Sequence, residues 1–126
     1  MIDIIGMRRP YAIDLLRART ILSTMLETCS FRGWHVHAIH IRTNHIHAVL
    51  DSHDRPERIM TDLKAYASRK LNELGIDPPQ VKRWARHGST RYLWDERSLA
   101  AAIRYVVDGQ GAPMAVYLHK RAGSPP

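Results

Sequence analysis

The chain has 126 residues, 44% of them hydrophobic and 25% charged, which suits one soluble globular domain and excludes a disordered or fibrous class. Nineteen Lys and Arg against twelve Asp and Glu leave a formal charge of +7, which favours a polyanionic partner; fifteen of those cations are arginine, whose planar fork suits phosphate and base stacking. A single cysteine, Cys29, excludes an internal disulfide and suits a reducing cytoplasm, and no window is long and apolar enough to span a membrane.

Ile2 to Ile5 reads as a short first strand, after which Arg8-Arg9-Pro10 breaks the pattern and Asp14 offers a helix N-cap. The helix runs to about Ser30, with Leu15, Leu22, Met25, Leu26 and Cys29 as its buried stripe, and Arg32-Gly33 ends it. Trp34 to Ile41 and His45 to Leu50 alternate as antiparallel strands around a turn at Arg42-Thr43-Asn44, giving a hairpin. Asp54-Arg55-Pro56-Glu57 starts a second helix, with Asp54 as cap acid and proline in the first turn. Ile59, Leu63, Tyr66 or Ala67, and Leu71 form its apolar face, and Gly75 closes it. After a loop containing Pro78-Pro79 and the basic run Lys82 to Gly88, a strand fits Thr90 to Trp94. A last helix follows, from Asp95 or Ser98 to about Asp108, buried through Leu99, Ala102, Ile103 and Val106. One domain over residues 1–121 and a disordered tail over 122–126 are expected.

This order of elements gives an α+β fold, an antiparallel sheet with helices packed on one face and the other face open. Ile46, Ala48 and Leu50 suit the helix-covered side. His45 and His47, two residues apart on the same strand, then project from the opposite side as two neutral nitrogen donors at fixed separation. Tyr105 falls on the flank of the last helix stripe. A phenol is a poor nucleophile at neutral pH, but beside a divalent metal that polarises a phosphodiester it can attack phosphorus. Asp108 and Gln110 lie just beyond it, and an oxygen donor completing two imidazoles suits Mg²⁺ or Mn²⁺. Two rival readings stand beside this one. His35, His37 and His40 in the preceding strand could join His45 and His47 in a zinc site, and Tyr66, on the more basic second helix, is another candidate nucleophile.

Four stretches in one order carry a resemblance. Thr43-Asn44-His45-Ile46-His47-Ala48-Val49 resembles the HUH motif of single-tyrosine transposases, and Asp62 to Asn72 resembles the basic helix that follows it. Trp84 with Gly88 to Trp94 resembles the next strand, and Ala102 to Gln110 resembles the nucleophile helix. The match spans residues 30 to 111 and is nearest to the REP-associated tyrosine transposases.

The resemblance implies a ferredoxin/RRM-like sandwich, with His45, His47 and Gln110 holding Mg²⁺ or Mn²⁺ and Tyr105 forming a 5′-phosphotyrosine link. It further implies cleavage of single-stranded DNA near a hairpin, in a bacterial, nucleoid-associated protein that is either a monomer or a homodimer. Related enzymes often carry Gln or Asn four residues after the tyrosine; here that position is Gly109, so Asp108 rivals Gln110 as third ligand. Arg42, Lys64, Arg69, Lys70, Arg86 and Arg91 are the candidate phosphate contacts, with Trp84 as a stacking platform. The short first strand fits a decayed gene copy, in which case the fold would persist as a catalytically inactive nucleic-acid-binding regulator.

Overall fold

A computed structural model of the chain describes residues 2–5, 13–42, 45–78, 81–84, 89–93, 95–108 and 115–119. The elements run β1 (Ile2–Ile5), α1 (Leu15–Arg32), β2 (His35–Arg42), β3 (His45–Asp51), α2 (Pro56–Glu73), β4 (Ser89–Tyr92), α3 (Glu96–Asp108) and β5 (Ala115–Leu118). Among the described residues the strands form one antiparallel sheet in the order β4-β1-β3-β2-β5. The first four strands with α1 and α2 make the β-α-β-β-α-β arrangement of a ferredoxin-like sandwich, as expected. β5 has no counterpart among the elements the sequence predicts. It is four residues long, follows a Gly- and Pro-containing stretch, and extends the sheet by pairing Ala115 to Leu118 with Ile41 to Ala38 of β2.

Local signals set the ends of the helices. Asp14 caps α1 by accepting from the Arg17 amide at 2.9 Å, and Gly33 closes it with φ of 76°, a left-handed conformation that costs glycine little. The buried stripe of α1 is rotated from the expected one. Ala18, Ile21, Met25 and Cys29 face the sheet, while Leu15 is exposed and Leu22 and Leu26 are only partly buried. Thr24 and Thr28 join the buried side because their hydroxyls donate to the carbonyls four residues back, both at 2.8 Å, which removes the cost of burying them. Asp54 does not cap α2. Its carboxylate accepts from Trp34 Nε1 at 2.8 Å, and Arg55 takes the cap position without a side-chain bond.

The principal core lies between the sheet and the α1/α2 layer, where Ile39 and Ile41 of β2 and Ile46, Ala48 and Leu50 of β3 meet Ile21, Met25, Ile59, Leu63, Ala67 and Leu71. Ala67, rather than Tyr66, occupies the ambiguous position on α2. The other face is not open. Ala38 and Val49 pack there against Leu93 and against Leu99, Ala102 and Val106 of α3. With α1 and α2 already filling the first side, the apolar stripe of α3 can leave water only by crossing to the second.

At the margin of the α1/α2 layer, Asp77 accepts from Arg17 Nη2 at 2.7 Å and from Arg83 Nε at 3.1 Å, and Arg83 Nη2 donates to Asn72 at 2.9 Å. Arg83 is 3% exposed, so this buried network fixes the segment after α2 onto both helices. No helix among the described residues is long and apolar enough to cross a membrane.

Candidate functional site

Strand alternation places His45 and His47 on the face of β3 that α3 covers, as their spacing requires. His47 is buried and His45 is half-buried at the mouth of the hairpin, opposite Arg42 in the strand register. Tyr105 immediately precedes the fully buried Val106, so it emerges on the flank of α3 and stays 54% exposed. Its ring meets that of His47 edge-on, with centroids 5.7 Å apart and planes at 62°. The structure thus brings together two residues that lie 58 positions apart in sequence, one on a strand and one on a helix.

Beneath this pair lies His40, the direct cross-strand partner of His47. It is completely buried, and neither ring nitrogen has a hydrogen-bond partner. Burial is the largest influence on its pKa and lowers it, because the charged ring would lose its water. The Val106 carbonyl, the next largest influence, pulls the other way, and Arg42, His47 and His45 add to the lowering. The sequence pattern marks His40 only as a spare ligand; its isolation depends on α3 closing over it.

Of the six candidate phosphate contacts, Arg42 stands at the site. Lys64, Arg69 and Lys70 ride on α2, across the sheet from Tyr105. Lys64 borders a small apolar hollow with Met25, Ile46, Met60, Leu63 and Trp84, and the loss of water there lowers its pKa. Trp84 is pinned by its indole N–H donating to Ser68 at 2.7 Å. Arg91 belongs to β4, opposite Asp3 of β1, and Arg86 lies outside the described residues. Tyr66, the rival nucleophile, sits beside the Arg69 guanidinium at 5.2 Å on the same remote layer, away from the imidazoles.

His35, His37 and His119 gather at the opposite end of β2. His37 Nε2 lies 2.9 Å from an Asp51 oxygen, and His35 meets His37 and His119 edge-on at 4.6 and 4.5 Å. They do not join His45 and His47. Among the described residues no group of three or more His, Cys, Asp or Glu is arranged to hold a metal ion. His45 and His47 supply two nitrogen donors of the kind a divalent ion takes, Asp108 ends α3 nearby in sequence to Tyr105, and Gln110 lies outside the described residues.

No protein-family model matches the chain, and no curated protein does. Among solved structures, the chain is similar to that of a REP-associated tyrosine transposase bound to a REP hairpin, with a TM-score of 0.62 and 9% sequence identity. The likeness covers 83% of this chain, which spans 63% of the length of the other, and at that identity it establishes a shared fold.

Proposed function

We propose that the protein is a metal-dependent single-strand DNA endonuclease and strand transferase that cuts near a DNA hairpin. The observation that carries the reading is the half-exposed Tyr105 ring against the buried His47, on a fold shared with a hairpin-bound tyrosine transposase. In this reading the Tyr105 phenol loses its proton and attacks the scissile phosphorus. The new bond joins phosphorus to the tyrosine oxygen, the bond to the 3′ oxygen breaks, and that oxygen leaves as a free hydroxyl by taking up a proton from water, which also receives the proton of the phenol. His45 and His47, with Gln110 or Asp108, would hold Mg²⁺ or Mn²⁺, which supplies charge neutralisation on the phosphate. Arg42 adds a fixed positive charge at the hairpin end of β2 and draws the DNA backbone toward the site. Packing of Leu99, Ala102 and Val106 on the sheet holds Tyr105 in place, so little conformational freedom is lost when DNA arrives.

The test is incubation with labelled single-stranded hairpin DNA and Mg²⁺ or Mn²⁺, followed by a denaturing gel. A covalent DNA–protein adduct that disappears in Tyr105→Phe and persists in Tyr66→Phe supports the reading. Tight, salt-sensitive binding without any adduct would instead make the protein a regulator that binds nucleic acid on this fold.

A further inference from the structure

The two ring nitrogens of His40 are buried polar atoms without hydrogen-bond partners, in a layer otherwise filled by Ala38, Val49 and the α3 stripe. A leucine would fill this space without stranding any polar atom, so the imidazole calls for an explanation. A neutral imidazole carries one N–H and one lone pair, and it therefore needs one acceptor and one donor. Both kinds of partner are neighbours. The Val106 carbonyl of α3 is near enough to act on the ring, and His47 is its direct partner across the strands. An imidazole that offers one nitrogen to a metal needs its other ring N–H held by an acceptor, which fixes both the tautomer and the orientation of the ring.

We propose that His40 is the positioning residue of the site, donating to the Val106 carbonyl and accepting the inner ring N–H of His47. This inference rests on the metal-site reading of His45 and His47. It gives the nucleophile helix and the ligand strand a common hinge, because Val106 adjoins Tyr105 in α3 while His47 belongs to β3. Neither hydrogen bond is formed in this structure, and bonds in unliganded sites commonly tighten only when the ligand arrives.

The test compares His40→Leu, His40→Gln and His47→Ala with the wild type in Mn²⁺ affinity, measured by titration calorimetry. The ring tautomers are read in parallel from ¹⁵N-histidine NMR of the metal-free proteins, with urea unfolding to confirm that each variant is folded. His40→Leu is expected to bind Mn²⁺ about 10- to 100-fold more weakly and to leave His47 as a mixture of tautomers, while His40→Gln, which keeps a donor and an acceptor, recovers most of the affinity. A folded His40→Leu protein with unchanged affinity and an unchanged His47 tautomer overturns the inference. If His47→Ala also binds Mn²⁺ as tightly as the wild type, the metal-site reading itself fails, and the inference fails with it.

Discussion

β2 and β3 present two faces to two different environments. Toward α1 and α2 they contribute Ile39, Ile41, Ile46, Ala48 and Leu50, and the surface is aliphatic from edge to edge. Toward α3 the same strands contribute Ala38, His40, His47 and Val49, so imidazoles are interleaved with small apolar side chains under a single amphipathic helix. The first face spends every inward position on burying hydrocarbon. The second gives up some of that burial to keep polar groups where a phenol can reach them, and the pairing of faces lets one side stabilise what the other side destabilises.

The contrast sharpens under mutation. Asp77→Ala leaves the guanidinium groups of Arg17 and Arg83 without their shared carboxylate at the margin of the first face, and it should cost about 3–5 kcal/mol in urea unfolding. Ile39→Ala, at a site with no solvent exposure, should cost about 2–5 kcal/mol, and adduct formation by the fraction still folded should be unaffected. On the second face the sign should reverse. His40→Leu removes two stranded nitrogens and should raise stability by about 1–3 kcal/mol even as metal affinity falls; a loss of stability similar to that of Ile39→Ala would erase the distinction between the faces.

The smallest effect concerns the thiol on the first face. Burial pushes the Cys29 pKa up to about 12 from an ordinary value of 9.0. A raised pKa means that the folded state keeps its proton while the unfolded state loses it. The contribution is therefore fully present below pH 9.0 and declines by about 1.4 kcal/mol per pH unit above it until the folded pKa is reached. Thermal melts of Cys29→Ala between pH 8 and 10 should lack that component of the decline.

What could be read from the sequence followed the range of the signals. The β2–β3 hairpin, the Asp14 cap and the Leu99, Ala102 and Val106 stripe are governed by neighbours a few residues away, and they were legible. The side on which α3 lies was not, because it depends on α1 and α2 having already occupied the first face. The stripe of α1 departs from the apolar periodicity because Thr24 and Thr28 hide their polarity in bonds to their own helix. Asp54 was misassigned because Trp34, 20 residues earlier, takes its carboxylate. In the candidate site, the shared face of His45 and His47 and the flank position of Tyr105 both follow from periodicity. The placement of Lys64, Arg69 and Lys70 on the far layer, and the isolation of His40, are products of tertiary packing that no local pattern encodes.

The order of elements along the chain has a bearing on synthesis. β1 through β4, with α1 and α2, are complete by Tyr92, whereas Tyr105 and β5 come afterwards. A ribosome releases the chain N-terminus first, so β1, α1 and the β2–β3 hairpin leave it before α3 and Tyr105 do. β1, β2 and β3 are therefore free to pair before α3 arrives to cover their second face, and β5 joins the edge of β2 last among the described elements.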